Sequence, residues 1–265
     1  MTRPQLHFCH ANSYPAGTYS LLFRHLERHY DVGALDMHAH NPRYPVADGW
    51  RALAREVQDE LAARYKEPVI LVGHSLGGIL SLMAAGAEPQ RVRCVVLLDS
   101  PIVAGWRAWV LRGAKALGVD DRVSPAKAST RRRNLWPNDE AAYHHFAAKP
   151  MFAAWPEQVL RDYLAHGLVP HSEGVTLRFS RETETAVYRT LPHDIGALMR
   201  RKYPVPVGFI GGLDSVECRQ AGLDATRRLV GRHFMRIPGG HLFPMERPDA
   251  AADAIHTMIQ TLTRT

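Results

Sequence analysis

The run Val69-Ile70-Leu71-Val72-Gly73-His74-Ser75-Leu76-Gly77-Gly78 joins a continuous apolar stretch to a helix-compatible one through Gly-x-Ser-x-Gly. A turn this tight between strand and helix strains the central backbone, and residues without side chains at Gly73 and Gly77 let the two elements approach. A serine so placed is exposed at the end of a strand, the arrangement known as a nucleophile elbow. The pentapeptide alone is weak. It gains meaning from a strand before it, a helix after it, and an acid and a histidine further along.

Hydrophobic periodicity supplies that context. The spacing predicts a buried strand over 6–9, a helix over 19–30 and a short strand over 32–37, then a loop marked by Pro42 and Pro45. A helix from Asp48, as N-cap, to Tyr65 precedes a strand over 68–72; the elbow helix runs to Ala87, and a strand covers 92–98. The rhythm returns with a strand over 205–210, a helix over 217–230, a strand over 233–237 and a helix over 247–262. Near-continuous Val/Ile/Leu runs suit a parallel sheet covered on both faces. From 106 to 188 the chain reads instead as loops and helices, over 106–117, 139–148 and 157–166, with Trp106, Trp109, Trp136, Phe146, Phe152, Trp155 and Tyr163 concentrated there. An insertion after the fourth strand is the simplest account. Its aromatic residues serve either as the roof of a pocket or as ordinary core.

This arrangement resembles the α/β-hydrolase superfamily over essentially the whole chain outside the insertion. In that family the nucleophile, the acid and the histidine follow in this chain order, with the acid after the next-to-last strand and the histidine after the last. Val207-Gly208-Phe209-Ile210-Gly211-Gly212-Leu213-Asp214 and Pro238-Gly239-Gly240-His241-Leu242-Phe243-Pro244-Met245-Glu246-Arg247-Pro248 match those places. The resemblance implies a triad of Ser75, Asp214 and His241. Asp99, after the fourth strand, is the alternative acid, because some relatives carry it there; otherwise it is a structural loop residue. The resemblance also implies oxyanion donors at the amides of Leu76 and Asn12, although Ala11 stands in His10-Ala11-Asn12 where the family has glycine. Asn12 equally suits a turn. Only nine residues precede His10, too few for the family's usual leading hairpin. The expected fold is therefore a mostly parallel, doubly wound α/β sheet of about six strands, with a core at 1–104 and 190–265 and a helical cap at 105–189.

The residue types fit acyl transfer. A serine hydroxyl needs a neutral imidazole to accept its proton, and the acid fixes the tautomer and stabilises the cation. The expected activity is a cofactor-free, metal-free serine hydrolase that cleaves a carboxylic ester, thioester or lactone of a small-molecule, apolar or aromatic acyl substrate, with a long acyl chain, an aromatic ester and an acyl-CoA all open. Serine at the elbow argues against the aspartate-dependent epoxide hydrolases and dehalogenases of the same superfamily. Carbon–carbon bond hydrolases, perhydrolases and proline iminopeptidases share the serine, and a non-catalytic ligand-binding receptor is the alternative outside enzymes. Asp36, His38, His40, His144 and His145 lack a recognised zinc spacing and read as loop or surface residues. His74 reads as an elbow-packing residue, and Cys9 as a buried strand residue. Cys9, Cys94 and Cys218 form no disulfide framework. The net charge of +7 is spread along the chain, with one cluster at Arg131-Arg132-Arg133, and reads as solvated surface, with an acidic substrate or partner as the alternative, and not as a nucleic-acid site. No apolar run is long enough to span a bilayer, and Met1-Thr2-Arg3-Pro4-Gln5 lacks a signal-peptide core, so a cytoplasmic location is expected.

Overall fold

The computed structural model describes residues 3–116, 126–198 and 202–264. From the N-terminus strand and helix alternate: β1 (Gln5–Cys9), α1 (Ser20–Leu26), β2 (Asp31–Ala34), α2 (Arg51–Arg64), β3 (Val69–His74), α3 (Leu76–Ala87) and β4 (Val92–Leu98). The chain then leaves this pattern for α4 (Trp106–Ala116), α5 (Ala126–Thr130), β5 (Leu135–Trp136), α6 (Asp139–Ala147), α7 (Pro150–Ala153), α8 (Glu157–Gly167), β6 (Leu168–His171), β7 (Gly174–Leu177), α9 (Arg181–Arg189) and α10 (Ile195–Leu198). Alternation resumes with β8 (Val207–Gly212), α11 (Val216–Ala221), α12 (Asp224–Val230), β9 (Phe234–Ile237), α13 (Phe243–Glu246) and α14 (Pro248–Thr263).

Six strands form one sheet in the order β2-β1-β3-β4-β8-β9, and every pair is parallel. This is the doubly wound sheet anticipated from the sequence, and among the described residues no hairpin precedes β1. Alternate residues of the central strands feed two cores. Phe8, Val72, Val96 and Ile210 meet α1 and α14 on one face; Leu71, Val95, Leu97 and Phe209 meet α2 and α3 on the other. The strand order reverses between β1 and β3, so the loops after those strands diverge and leave a crevice at their carboxyl ends, the usual ligand position in such sheets.

Two segments depart from the helical spacing. The helix expected over 217–230 is broken by Gly222, whose φ of +73° suits glycine, and becomes α11 and α12. The insertion is not purely helical: β5, β7 and β6 form a small antiparallel sheet. Strands of two to four residues are too short to show a period. Residue 117, the expected end of α4, lies outside the described residues.

The insertion's aromatic residues divide. Trp136, Phe146, Phe152, Trp155 and Tyr163 are buried in the same cluster as Phe8 and α14, with Phe146 and Phe152 centroids 4.9 Å apart. Trp106 and Trp109 are instead 66% and 70% exposed on α4. Within the basic triplet, Arg132 is not freely solvated; it is partly buried and paired with Glu184 at 2.8 Å and with the Tyr163 hydroxyl at 2.5 Å. Among the described residues no helix is long and apolar enough to cross a membrane.

A shared apolar cluster makes insertion and sheet one cooperative unit. Phe146→Ala is expected to move a single unfolding transition by about 3–5 kcal/mol in urea. A separate early transition confined to the insertion would contradict this.

Candidate active site

Ser75 sits between β3 and α3 with φ +52° and ψ −117°, a conformation a serine rarely adopts. The surroundings enforce it. A Cβ on Gly73 would collide with the Gly77 carbonyl, and one on Gly77 with the carbonyls of Cys9 and His10. The start of α3 is thereby pressed against the end of β1. The Leu76 amide, in the first turn of α3, has no carbonyl four residues back inside the helix. Across the crevice, Asn12 is buried, and its side-chain amide donates to the Glu184 carbonyl of α9 at 3.1 Å. Ser13 has φ +75° and turns the loop.

His241, in the loop after β9, faces Ser75 with its Nε2 3.0 Å from Oγ. Its Nδ1–H donates at 2.7 Å to Asp99 Oδ2, not to Asp214. The acid expected from the sequence is therefore corrected: the carboxylate on His241 comes from the end of β4. Asp99 is fully buried with φ +42°. It also accepts from the Gly212 amide at 2.7 Å, the Ser215 hydroxyl at 2.6 Å and the Cys218 thiol at 3.3 Å. The strand end after β8, where the acid was expected, instead supplies donors that cradle an acid from its neighbour. The local backbone explains why. Ser215 turns inward, caps α11 by accepting from the Cys218 amide, and leaves the preceding Asp214 exposed, its amide bonded to the Gly239 carbonyl. Beyond Asp99, the buried amide of Ile102 donates to Thr226 Oγ1 at 2.9 Å and pins the chain to α12 before the insertion begins.

The electrostatics follow from these partners. Burial opposes the charge on Asp99, but the His241 hydrogen bond and charge, with Ser215 and Gly212, outweigh it, and its pKa lies below the usual carboxylate value. Burial likewise opposes a charged His241. The Asp99 hydrogen bond and the negative charges of Glu217, Asp99 and Glu246 prevail, and its pKa is raised.

His74 is more than elbow packing. Its Nε2–H donates to the His241 carbonyl at 2.9 Å, and its Nδ1 accepts from the Tyr19 hydroxyl at 2.7 Å. Tyr19 in turn accepts from the Ala11 amide at 3.2 Å. Burial, then the neighbouring His241 charge, pushes His74 down to about 3, so it stays neutral and keeps this tautomer. The chain Ala11, Tyr19, His74, His241 thus ties the loop after β1 to the loop that carries the imidazole. Nothing in the residue pattern separates such a bonded histidine from one that merely packs beside the elbow.

The histidines and acids weighed as metal ligands go separate ways. His10 accepts from the His38 amide at 2.7 Å, His40 accepts from the Ser180 amide at 3.2 Å, Asp36 pairs with Arg178, and His144 lies beside Glu140. Cys9 is a buried strand residue. A groove of about 1020 Å³ lined by Trp109, Arg112, Tyr203 and Arg228 lies apart from this centre, and none of Ser75, Asp99 and His241 borders it.

The sequence profile of the alpha/beta hydrolase family matches residues 8–254. A Mycobacterium phage D29 protein provisionally named a non-heme haloperoxidase is 26% identical, over 96% of this chain and 87% of its own. Among solved structures, E-2-(acetamidomethylene)succinate hydrolase superposes with a TM-score of 0.78 at 21% identity, covering 98% of this chain and 92% of that one. A peroxisomal alpha-beta-hydrolase of Saccharomyces cerevisiae superposes with a TM-score of 0.75 at 17% identity, covering 100% and 78%. At these identities the structural likeness is one of fold.

Tyr19→Phe leaves the Ala11 amide and the His74 ring nitrogen without their shared partner. It is expected to destabilise the protein by about 1–3 kcal/mol in equilibrium urea unfolding. An unchanged midpoint would show that the relay carries no energy.

Proposed function

The chain belongs to the alpha/beta hydrolase family, and from that premise we propose that it is a serine hydrolase that cleaves a carboxylic ester, thioester or lactone through an acyl-enzyme. The observation that carries this reading is the pair of contacts on one imidazole, 3.0 Å to Ser75 Oγ and 2.7 Å to Asp99 Oδ2. Ser75 Oγ attacks the substrate carbonyl carbon as its proton passes to His241 Nε2. The tetrahedral oxyanion accepts hydrogen bonds from the amides of Leu76 and Asn12. His241 then gives its proton to the departing alkoxide or thiolate, which leaves the acyl group on Ser75. Water attacks that ester with His241 again as base, and the acid and free serine are released. Asp99 stays ionised throughout, holding the Nδ1–H tautomer and stabilising the imidazolium. Residues 105–189 act as the cap that limits which acyl groups reach Ser75.

A perhydrolase reading of the same residues draws on the haloperoxidase name of the phage relative. In it, hydrogen peroxide replaces water in the second step.

Short-chain nitrophenyl esters test the reading. Ser75→Ala is expected to abolish turnover. Asp99→Asn is expected to lower it by roughly 10³–10⁴-fold through loss of the correct tautomer, while Asp214→Asn stays near wild type. Equal turnover by the wild type and Ser75→Ala excludes the serine as nucleophile; a collapse in Asp214→Asn with an active Asp99→Asn returns the role to Asp214.

The raised basicity of His241 fixes the direction of the pH dependence. The base works unprotonated, so kcat/KM is expected to rise with pH, with its midpoint above 6.5, and to fall as acid protonates the ring. A midpoint below 6.5 in steady-state kinetics would contradict this environment.

A further inference from the structure

A second carboxylate approaches His241 from the solvent side. Glu217, in the first turn of α11, places Oε2 3.9 Å from His241 Nδ1. The single Nδ1 proton is already given to Asp99 at 2.7 Å, so Glu217 acts at this distance through its charge and not as a second acceptor. Its position is not accidental to the loop. Ser215 both caps α11 and donates to Asp99, which locks the helix start, and with it Glu217, to the acid. The Glu217 side chain is 49% exposed, whereas Asp99 is fully buried, and among the described residues it makes no hydrogen bond that would commit it elsewhere.

Five groups face the imidazole from the packed elements: Ser75 of the elbow, His74 of β3, Asp99 after β4, Glu217 of α11 and Glu246 of α13. His74 is neutral, and Glu246 is occupied by the Gly240 amide at 2.9 Å. That leaves Glu217 as the uncommitted negative charge.

We propose that Glu217 is a positioning residue for the base: its carboxylate adds, from the open side of the site, a second negative charge that favours the imidazolium formed while Ser75 is attacked. The proposal rests on the serine-hydrolase reading. A charge that is half in water is screened, so its effect is moderate and sensitive to salt, unlike that of Asp99.

The test is the pH dependence of the rate at which a fluorophosphonate labels Ser75, a readout that needs no substrate assignment. Glu217→Gln keeps the shape and removes the charge. At low ionic strength its midpoint is expected to lie below that of the wild type by roughly half a unit to one unit. Glu217→Lys is expected to move it further the same way. In about 1 M salt, where the screening length falls to about 3 Å, the differences are expected to shrink. A midpoint in Glu217→Gln equal to the wild type at low salt overturns the proposal, whatever happens to the rate, because a merely structural role lowers labelling equally at every pH. Absence of labelling in the folded wild type, or labelling that survives in Ser75→Ala, defeats the serine reading itself.

Discussion

A carboxylate with no exposed surface must be surrounded by donors, and Asp99 shows how much of the molecule such a requirement organises. Its two oxygens take an imidazole N–H, a hydroxyl, a backbone amide and a thiol. Those donors come from the loop after β9 and from the single stretch 212–218 at the end of β8 and the start of α11, so that with Asp99 itself, after β4, three segments distant in sequence are held at one sheet edge by a single charge. Removing any donor leaves a buried charge short of a partner, whereas removing the charge leaves several donors unsatisfied. The geometry of Ser75 and His241 is a consequence of this centre and of the strained turn that presents the serine.

Much of this was legible in the chain, for identifiable reasons. Gly73 and Gly77 announced the elbow because a close approach of two backbones admits nothing larger. The core strands announced themselves because strands buried on both faces read as unbroken apolar runs. His241 was legible as the histidine after the last strand. The acid was misassigned to Asp214, with Asp99 only the alternative, because both follow apolar strands at the same sheet edge and differ only in which way the turn faces them. Side-chain direction in a turn is decided by tertiary hydrogen bonds, here by Ser215 turning inward, and no periodicity encodes it. The same limit hid the His74 relay, since a histidine beside the nucleophile reads identically whether it packs or bonds. The small antiparallel sheet of the insertion escaped because β5 has two residues and β6 and β7 four each, at or below the shortest run in which alternation can be read.

The site is joined to the insertion as well as to the sheet. Asn12 reaches α9 through the Glu184 carbonyl, and Glu184 is bonded to the partly buried Arg132, which also donates to Tyr163. The loop after β1 is therefore braced from two sides, by the insertion through Asn12 and by the relay through Ala11 and Tyr19. In the proposed mechanism, such bracing suits a loop whose amide would meet developing charge without reorganising.

The bond from the Ile102 amide to Thr226 has a consequence for how the insertion is attached to the rest of the chain. It is a mooring between the acid and the point where the insertion departs, so strain generated in the insertion ends at α12 before it reaches Asp99. Under the proposed function, lengthening, trimming or exchanging the insertion would then leave the proton-handling centre undisturbed, and new specificities could be explored on an unchanged chemical engine.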